Sequence, residues 1–307
     1  MRIHHTAALG LAAMTCCLAL SACTNAADWR ARTNPEPTGY DVSGIEVQPE
    51  IAALLPADAL EDGVLDVGAA TNYAPAEFLD TSGKPIGYDV DLTQAIAAVL
   101  GIKATTHTAE FDSIIAAIGS KYDAGISSFT ITSQRTAEVN MTSYINVGSR
   151  FNVAQGNPQG VDASSHMNLC GRTVGVQVGT AQEETMNASS KECAQADQPP
   201  IDVRPYDDQD AATSALAGGT IDATYSDSTV AGYAAERTDG AVETIGEVED
   251  ALPQGVITSK QDTELTTAIQ AALQYLMDEG IWEEILTTWG VEDAALTKAE
   301  LNPRVKD

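Results

Sequence analysis

Positive charge is scarce in this 307-residue chain: 16 Lys and Arg stand against 44 Asp and Glu, a formal net charge of −28. So acidic a surface repels phosphate backbones and anionic lipid headgroups. Nucleic acid is therefore not an expected partner, and adsorption to a membrane surface is disfavoured. Histidine is scarce as well, four in all. His4 and His5 sit at the very start, leaving His107 and His166 in unrelated contexts. Neither HExxH nor GxSxG occurs, and "GVQVGT" lacks both the Walker lysine and the GxGxxG order. No metal site, cofactor or nucleophilic machinery is therefore expected. Aromatic residues make up only 5%, so each one on a loop carries weight. What the chain does have is a globular composition, 44% apolar and 20% charged, and length enough for two ordinary domains.

Cysteine is also sparse, and its placement is informative. Cys16 and Cys17 fall in "AALGLAAMTCCLALSA", an apolar run behind a short head carrying Arg2. That layout is a secretory signal, too short for a comfortable membrane span. Leu20-Ser21-Ala22-Cys23 closes the run and resembles the bacterial lipobox, which implies a signal over residues 1–22 and lipidation of Cys23. An anchor of more than one acyl chain would then hold the protein at the outer face of the membrane, its only expected link to lipid. The alternative is an ordinary cleaved signal with a stray cysteine. Cys170 and Cys193 remain, and an even pair in an exported chain reads as one disulfide. A metal site is the weaker reading, since no His lies near either, and two free buried thiols are the bland one.

Residues 23–57 are rich in Asn, Pro, Thr and charge without apolar period and are read as a tether. Beyond them strand and helix signals alternate. "VLDVGAA" reads as a buried strand, "DVDLTQAIAAVLG" as a helix stopped by Gly101, "ATTHTA" as a strand, "FDSIIAAIGSKYD" as a helix and "AGISS" as a strand. The pattern restarts with "TVGVQVG", then a helix opened by Thr180 and Glu183 as a capping box, and alternates again to "DSTVAGYAAER". The fold class expected is α/β, with two βαβ-type lobes. The last two amphipathic helices, "ELTTAIQAALQYLMDEG" and "IWEEILTTWG", need a partner, and the first lobe is the simplest one. Lobe 1 is thus drawn over 58–149 plus 255–292, lobe 2 over 150–254, and a C-terminal tail over 293–307. Two crossings, near 146–157 and 250–258, make a hinge beside a central cleft.

One stretch is unlike the rest: "SSFTITSQR" (127–135) carries five hydroxyls and one of the few arginines. Together with "VGAATNYAPAEFLDTSGKPIGYDVDLTQAIAAVLGI", "CGRTVGVQVGTAQE", "GGTIDATYSDSTVAGY" and "LQYLMDEGIWEEILTTWGV", it resembles the extracytoplasmic solute-binding proteins of ABC importers, polar amino-acid subgroup. The resemblance spans about residues 58–292 and implies a type II periplasmic-binding-protein fold. It also implies that Arg135 grips the α-carboxylate of a free amino acid, a planar fork matching a planar anion. Thr130 and Ser128 would serve the ligand through backbone and hydroxyl, with Ser127 and Thr132 closing the turn. Asp227 would bind the ammonium, its plainer role being a helix N-cap. Gly179 and Thr180 would present N–H groups at a helix start. Tyr73 and Phe111 would sandwich the ligand side chain.

Two departures bear on the ligand. Many members carry an acid where this chain has Ala70 and a phenylalanine where it has Ala76. A polar or neutral amino acid is therefore favoured over a strongly cationic one, unless Glu110 replaces the acid. Gln177, Gln182, Tyr206 and Tyr225 are candidates to tune the choice. The expected partner is an importer's permease, the expected state monomeric and the expected mechanism hinge closure. The rival readings are a sensory subunit on the same scaffold and, further off, an exported dehydratase-type enzyme.

Overall fold

The structure, a computed structural model, describes residues 38–55, 60 and 62–305. The expected signal, Cys23 and the first part of the tether lie outside the described residues.

The first half opens with a short helix, α1 (Pro49–Ala52), and the strand β1 (Val64–Ala69). A small three-stranded sheet follows, β2 (Asn72–Tyr73), β3 (Glu77–Leu79) and β4 (Pro85–Ile86). Then come α2 (Tyr88–Leu100), β5 (Lys103–Thr108), α3 (Phe111–Ala117), β6 (Ala124–Gly125) and α4 (Ser133–Glu138). A long strand, β7 (Val139–Ala154), leads into the second half. There β8 (Thr173–Gln177), α5 (Ala181–Gln195), β9 (Asp202–Tyr206), α6 (Gln209–Ala217), β10 (Ala223–Asp227) and α7 (Ser228–Arg237) alternate. A second long strand, β11 (Val242–Ser259), returns, and α8 (Thr263–Asp278) and α9 (Ile281–Thr288) finish the helical part.

The strands form one eight-stranded sheet in the order β5-β1-β6-β11-β7-β10-β8-β9, where the sequence suggested a separate sheet for each lobe. Its outer parts are parallel, β1 with β5 and β6, and β8 with β9 and β10. The two long strands run antiparallel through the middle. The segments expected to cross, near 146–157 and 250–258, fall largely within these two long paired strands, whose register breaks between Ile245 and Leu252 and again between Gln254 and Gly255.

Apolar side chains divide along this sheet. In the first half, Leu92, Ile96 and Val99 of α2 share a core with the C-terminal helices, through Leu265, Ile269 and Leu273 of α8 and Trp282, Ile285 and Leu286 of α9. The 3.6-residue spacing of these positions puts them on one face of each helix, and Gly101 ends α2 in the left-handed conformation (φ 69°). Phe111, Ile114, Phe129 and Ile257 fill a separate core nearby. In the second half, Met186 and Cys193 of α5 pack with Phe151, Val174, Val176 and Tyr225.

The tether requires correction. Residues from Thr38 to Leu55 lie against the first half: Tyr40, Val42, Ile45, Ile51 and Leu55 pack on its core. Tyr40 N–H donates to Asp91 Oδ2 at 2.8 Å and Gln48 N–H to Val99 O at 2.9 Å. This stretch docks residue by residue with almost no regular structure, which is why no period announced it. The C-terminal segment also docks. Ala295 and Leu301 bridge to Ile145 and Thr142 of β7, and Ala299 is buried.

Cys170 and Cys193 are joined in a disulfide, with Cα atoms 5.6 Å apart and a sequence separation of 23. It ties the chain just before β8 to the last turn of α5. Replacing both cysteines by alanine is expected to lower the unfolding free energy by about 3 kcal/mol, the entropy of an open loop of this length. Urea denaturation of the two proteins measures it.

Candidate functional site

The hydroxyl-rich stretch follows β6 and lies at the inner edge of the first half. Ser128 takes a left-handed backbone (φ 49°), unusual for a residue other than glycine. Thr132 is the N-cap of α4, its hydroxyl accepting the Arg135 N–H at 3.2 Å. That start to the helix brings the Arg135 side chain back over the loop. Its Nη1 donates to Thr130 O at 2.8 Å, and its Nη2 crosses to the second half and donates to Gly179 O at 2.9 Å. The guanidinium lies over the rings of Phe111 and Phe129, 5.5 and 5.9 Å from their centroids. Phe111 and Phe129 themselves stack at 4.8 Å.

Asp227 ends β10 in the second half and is buried. Its Oδ1 accepts from Gln182 Nε2 at 2.8 Å and its Oδ2 from Gln254 Nε2 at 2.6 Å. It precedes α7 yet makes no side-chain cap bond, so its carboxylate is committed inward and not to the helix. Its backbone N–H donates to Tyr73 Oη at 3.1 Å, a second bond between the halves. Gln177 Nε2 to Asn72 Oδ1, at 3.2 Å, is a third.

Tyr73, Phe111, Ser128, Thr130, Arg135, Thr180 and Asp227 line one small, nearly closed cavity, together with Gln177, Ala181 and Gln182. Gly179 stands at its margin and is engaged differently from the expectation. Its N–H donates to Glu183 Oε2 at 2.7 Å and its carbonyl accepts Arg135. The capping box is accordingly half formed: Thr180 Oγ1 accepts the Glu183 N–H, while Glu183 reaches one residue further back. Ala70 is buried and outside the lining, and Glu110 is exposed and lines nothing here. Tyr225 lines a neighbouring groove with Glu184 and Asp250, and Tyr206 packs on a small core of the second half.

The two opposite charges are not joined to each other. No ion pair links Arg135 with Asp227 among the described residues. Carbonyls satisfy the cation and side-chain amides satisfy the anion. Burial pushes the Asp227 carboxyl up to about 6, while the amides of Gln254 and Gln182 and the charge of Arg135 hold it from rising further. Gln182 appeared in the sequence only as a tuning residue, and Gln254 carried no signal. In "LPQGV" it is one more strand residue, and its bond to Asp227 exists only once β11 and β10 are placed.

A two-lobed α/β molecule with long strands crossing at its centre, and a small polar cavity between the lobes, has the type II periplasmic-binding-protein fold. Residues 65–292 match the bacterial extracellular solute-binding proteins, family 3, and the chain belongs to that family. It is 32% identical to the arginine-binding protein ArgT of Corynebacterium glutamicum, over 88% of this chain and 89% of that protein. It is 31% identical to the lysine/arginine/ornithine-binding periplasmic protein of Escherichia coli, over 71% and 84%. Among solved structures, an ancestral arginine-binding protein bound to arginine superposes with a TM-score of 0.68 at 31% identity, covering 74% of this chain and 98% of that one. An ancestral arginine-binding protein bound to glutamine gives 0.66 at 32%, with the same coverage.

Asp227 carries a stability cost that pH should reveal. Its folded-state pKa near 6 lies above the ordinary aspartate value. The native state therefore keeps a proton that the unfolded chain has released, and stability is lost as pH rises from about 4 to 6. At about 1.4 kcal/mol per pH unit this amounts to roughly 2–3 kcal/mol. Asp227→Asn, which cannot ionise, is expected to lose less unfolding free energy than the parent between pH 4 and pH 7, read from urea titrations at both. An equal loss in both proteins would contradict this account of the site.

Proposed function

We propose that the cavity takes one free L-α-amino acid, and that this lipid-anchored protein captures it outside the cytoplasm and hands it to an ABC importer. The observation that carries the reading is a single guanidinium and a single buried carboxylate from opposite halves lining one small cavity. An α-amino acid has the complementary poles: a carboxylate that fits the Arg135 fork and an ammonium that fits Asp227. As the halves stand, the lining side chains nearly fill the cavity, so the ligand enters when the halves part. Binding works by closure: a ligand held by both halves favours the state in which they meet. Cys23 supplies the anchor, and the closed form is what the permease reads.

Arginine is the first ligand to test, because several relatives are named for it. A neutral polar side chain such as glutamine is the second reading, and a specific observation favours it. Among the described residues Asp227 is the only carboxylate lining the cavity itself; the next acids, Glu184 and Asp250, line the adjoining groove. A thermal-shift screen of the free amino acids decides between them. A true ligand at about 100 times its Kd stabilises by about 2.7 kcal/mol.

Truncating either pole should weaken the cognate ligand by roughly 2–5 kcal/mol, for Arg135→Ala and Asp227→Ala alike, since each leaves a desolvated charge unpaired. Calorimetry measures this, and near-parental affinity in either variant would remove that residue from the site. Affinity should also fall as pH drops through about 6, where Asp227 takes up a proton and loses its charge.

A further inference from the structure

A second pair of carboxyls lies behind the ligand loop, and the reading above leaves it unused. Glu77 of β3 and Asp89 of α2 are 0% and 1% exposed. Ser127 donates its hydroxyl to Glu77 Oε1 at 2.5 Å and accepts the Ala70 N–H. Asp89 Oδ2 accepts three bonds, from Ser128 N–H at 2.8 Å, Ser128 Oγ at 3.3 Å and Tyr144 Oη at 2.9 Å. The remaining oxygens, Glu77 Oε2 and Asp89 Oδ1, have no donor at all. The partners of Glu77 and Asp89 on the loop, Ser127 and Ser128, are consecutive, which sets the two carboxyls behind the same turn.

The titratable groups facing the pair from neighbouring elements are Asp227 of β10 and the phenols of Tyr73, Tyr88 and Tyr144. All of these are acids. No Lys, Arg or His forms an ion pair with Glu77 or Asp89 among the described residues. Burying two carboxyls behind one turn without a paired cation strongly disfavours ionisation of both. One proton shared by Oε2 and Oδ1 would give both orphaned oxygens a partner at once. The three donors converging on Asp89 Oδ2 favour the charge there, which leaves the proton on Glu77.

We propose that Glu77 carries a proton and donates it to Asp89 Oδ1, so the pair holds one negative charge, and that Asp89 is the positioning residue of Ser128 in the amino-acid site. Ser128 is held in its left-handed turn by two bonds from its own N–H and hydroxyl to Asp89, and it also lines the cavity. The charge on Asp89 thus lies one residue behind the cavity lining. Burial supports the placement of the proton, raising Glu77 well above the carboxylate range and Asp89 to about 7. The positioning role rests on the amino-acid reading of the cavity, whereas the shared proton does not.

Two measurements on the purified protein separate these parts. Infrared spectroscopy at about pH 7 should show a protonated-carboxyl stretch in the parent that weakens in Glu77→Gln. Calorimetry with L-arginine and L-glutamine compares the parent with Glu77→Leu and Glu77→Gln. Glu77→Leu, which removes the donor to Asp89 Oδ1, is expected to weaken binding roughly tenfold. Glu77→Gln, whose amide supplies a donor without a proton, is expected to recover most of that loss. A parent band that Glu77→Gln leaves unchanged, or no band, overturns the shared proton. Equal affinities in Glu77→Leu and Glu77→Gln overturn the positioning role. If the parent binds no amino acid, the cavity's reading falls and the positioning role with it, while the infrared band still decides the proton.

Discussion

Everything in this molecule hangs on the antiparallel pairing of β7 with β11. These two strands belong to both halves of the sheet at once, and their outer ends carry the parallel strands of either lobe. The pairing is regular from Val139 opposite Ser259 to Ser143 opposite Gly255, and again from Phe151 opposite Ile245 to Ala154 opposite Val242. Between these stretches the register breaks. Gly148 sits at the break, where a Cβ would come within 2.5 Å of the Glu249 carbonyl oxygen, so no larger residue fits without moving a strand. Firm ladders on each side of an irregular centre are what a bending point between rigid bodies requires.

The site is built around that centre. Gln254 belongs to β11, its side chain holds Asp227, and its backbone bridges to Thr130, whose carbonyl holds Arg135. One strand residue thus connects the anionic side of the cavity with the cationic side. The charges themselves are kept apart and satisfied by neutral groups. That arrangement matters physically, because a direct salt bridge between them would tie up both charges, whereas neutral partners leave each charge uncompensated.

Sequence reading reached the parts of this arrangement that leave local traces. Alternating strands and helices, the apolar faces of α8 and α9, and the stop at Gly101 all follow from spacing and turn chemistry. Arg135 stood out because arginine is rare and hydroxyls crowd beside it, and the resemblance to a known family brought Asp227, Tyr73 and Phe111 to the same place. Gln254, Glu77 and Asp89 did not stand out. Their partners lie 27 residues away for Gln254 and at least 39 for the bonds of Glu77 and Asp89 to the loop. Such contacts are set by how strands stack, and no local pattern records them. The stretch from Thr38 to Leu55 was hidden for a related reason: it contributes single apolar side chains without repeating.

The end of the chain has a consequence of its own. In the first half one side of β7 pairs with β11, while among the described residues the other side, around Thr142 and Ile145, pairs with the C-terminal segment. Ser143 N–H donates to Glu300 O, Asn302 N–H donates to Met141 O, and Leu301 and Ala295 complete the seam. These last residues act as a selvage, finishing a border that would otherwise offer unpaired amides to any passing extended peptide. Clipping by an extracellular protease would bare that border, and a raw β-edge is a template for fibrillar self-association.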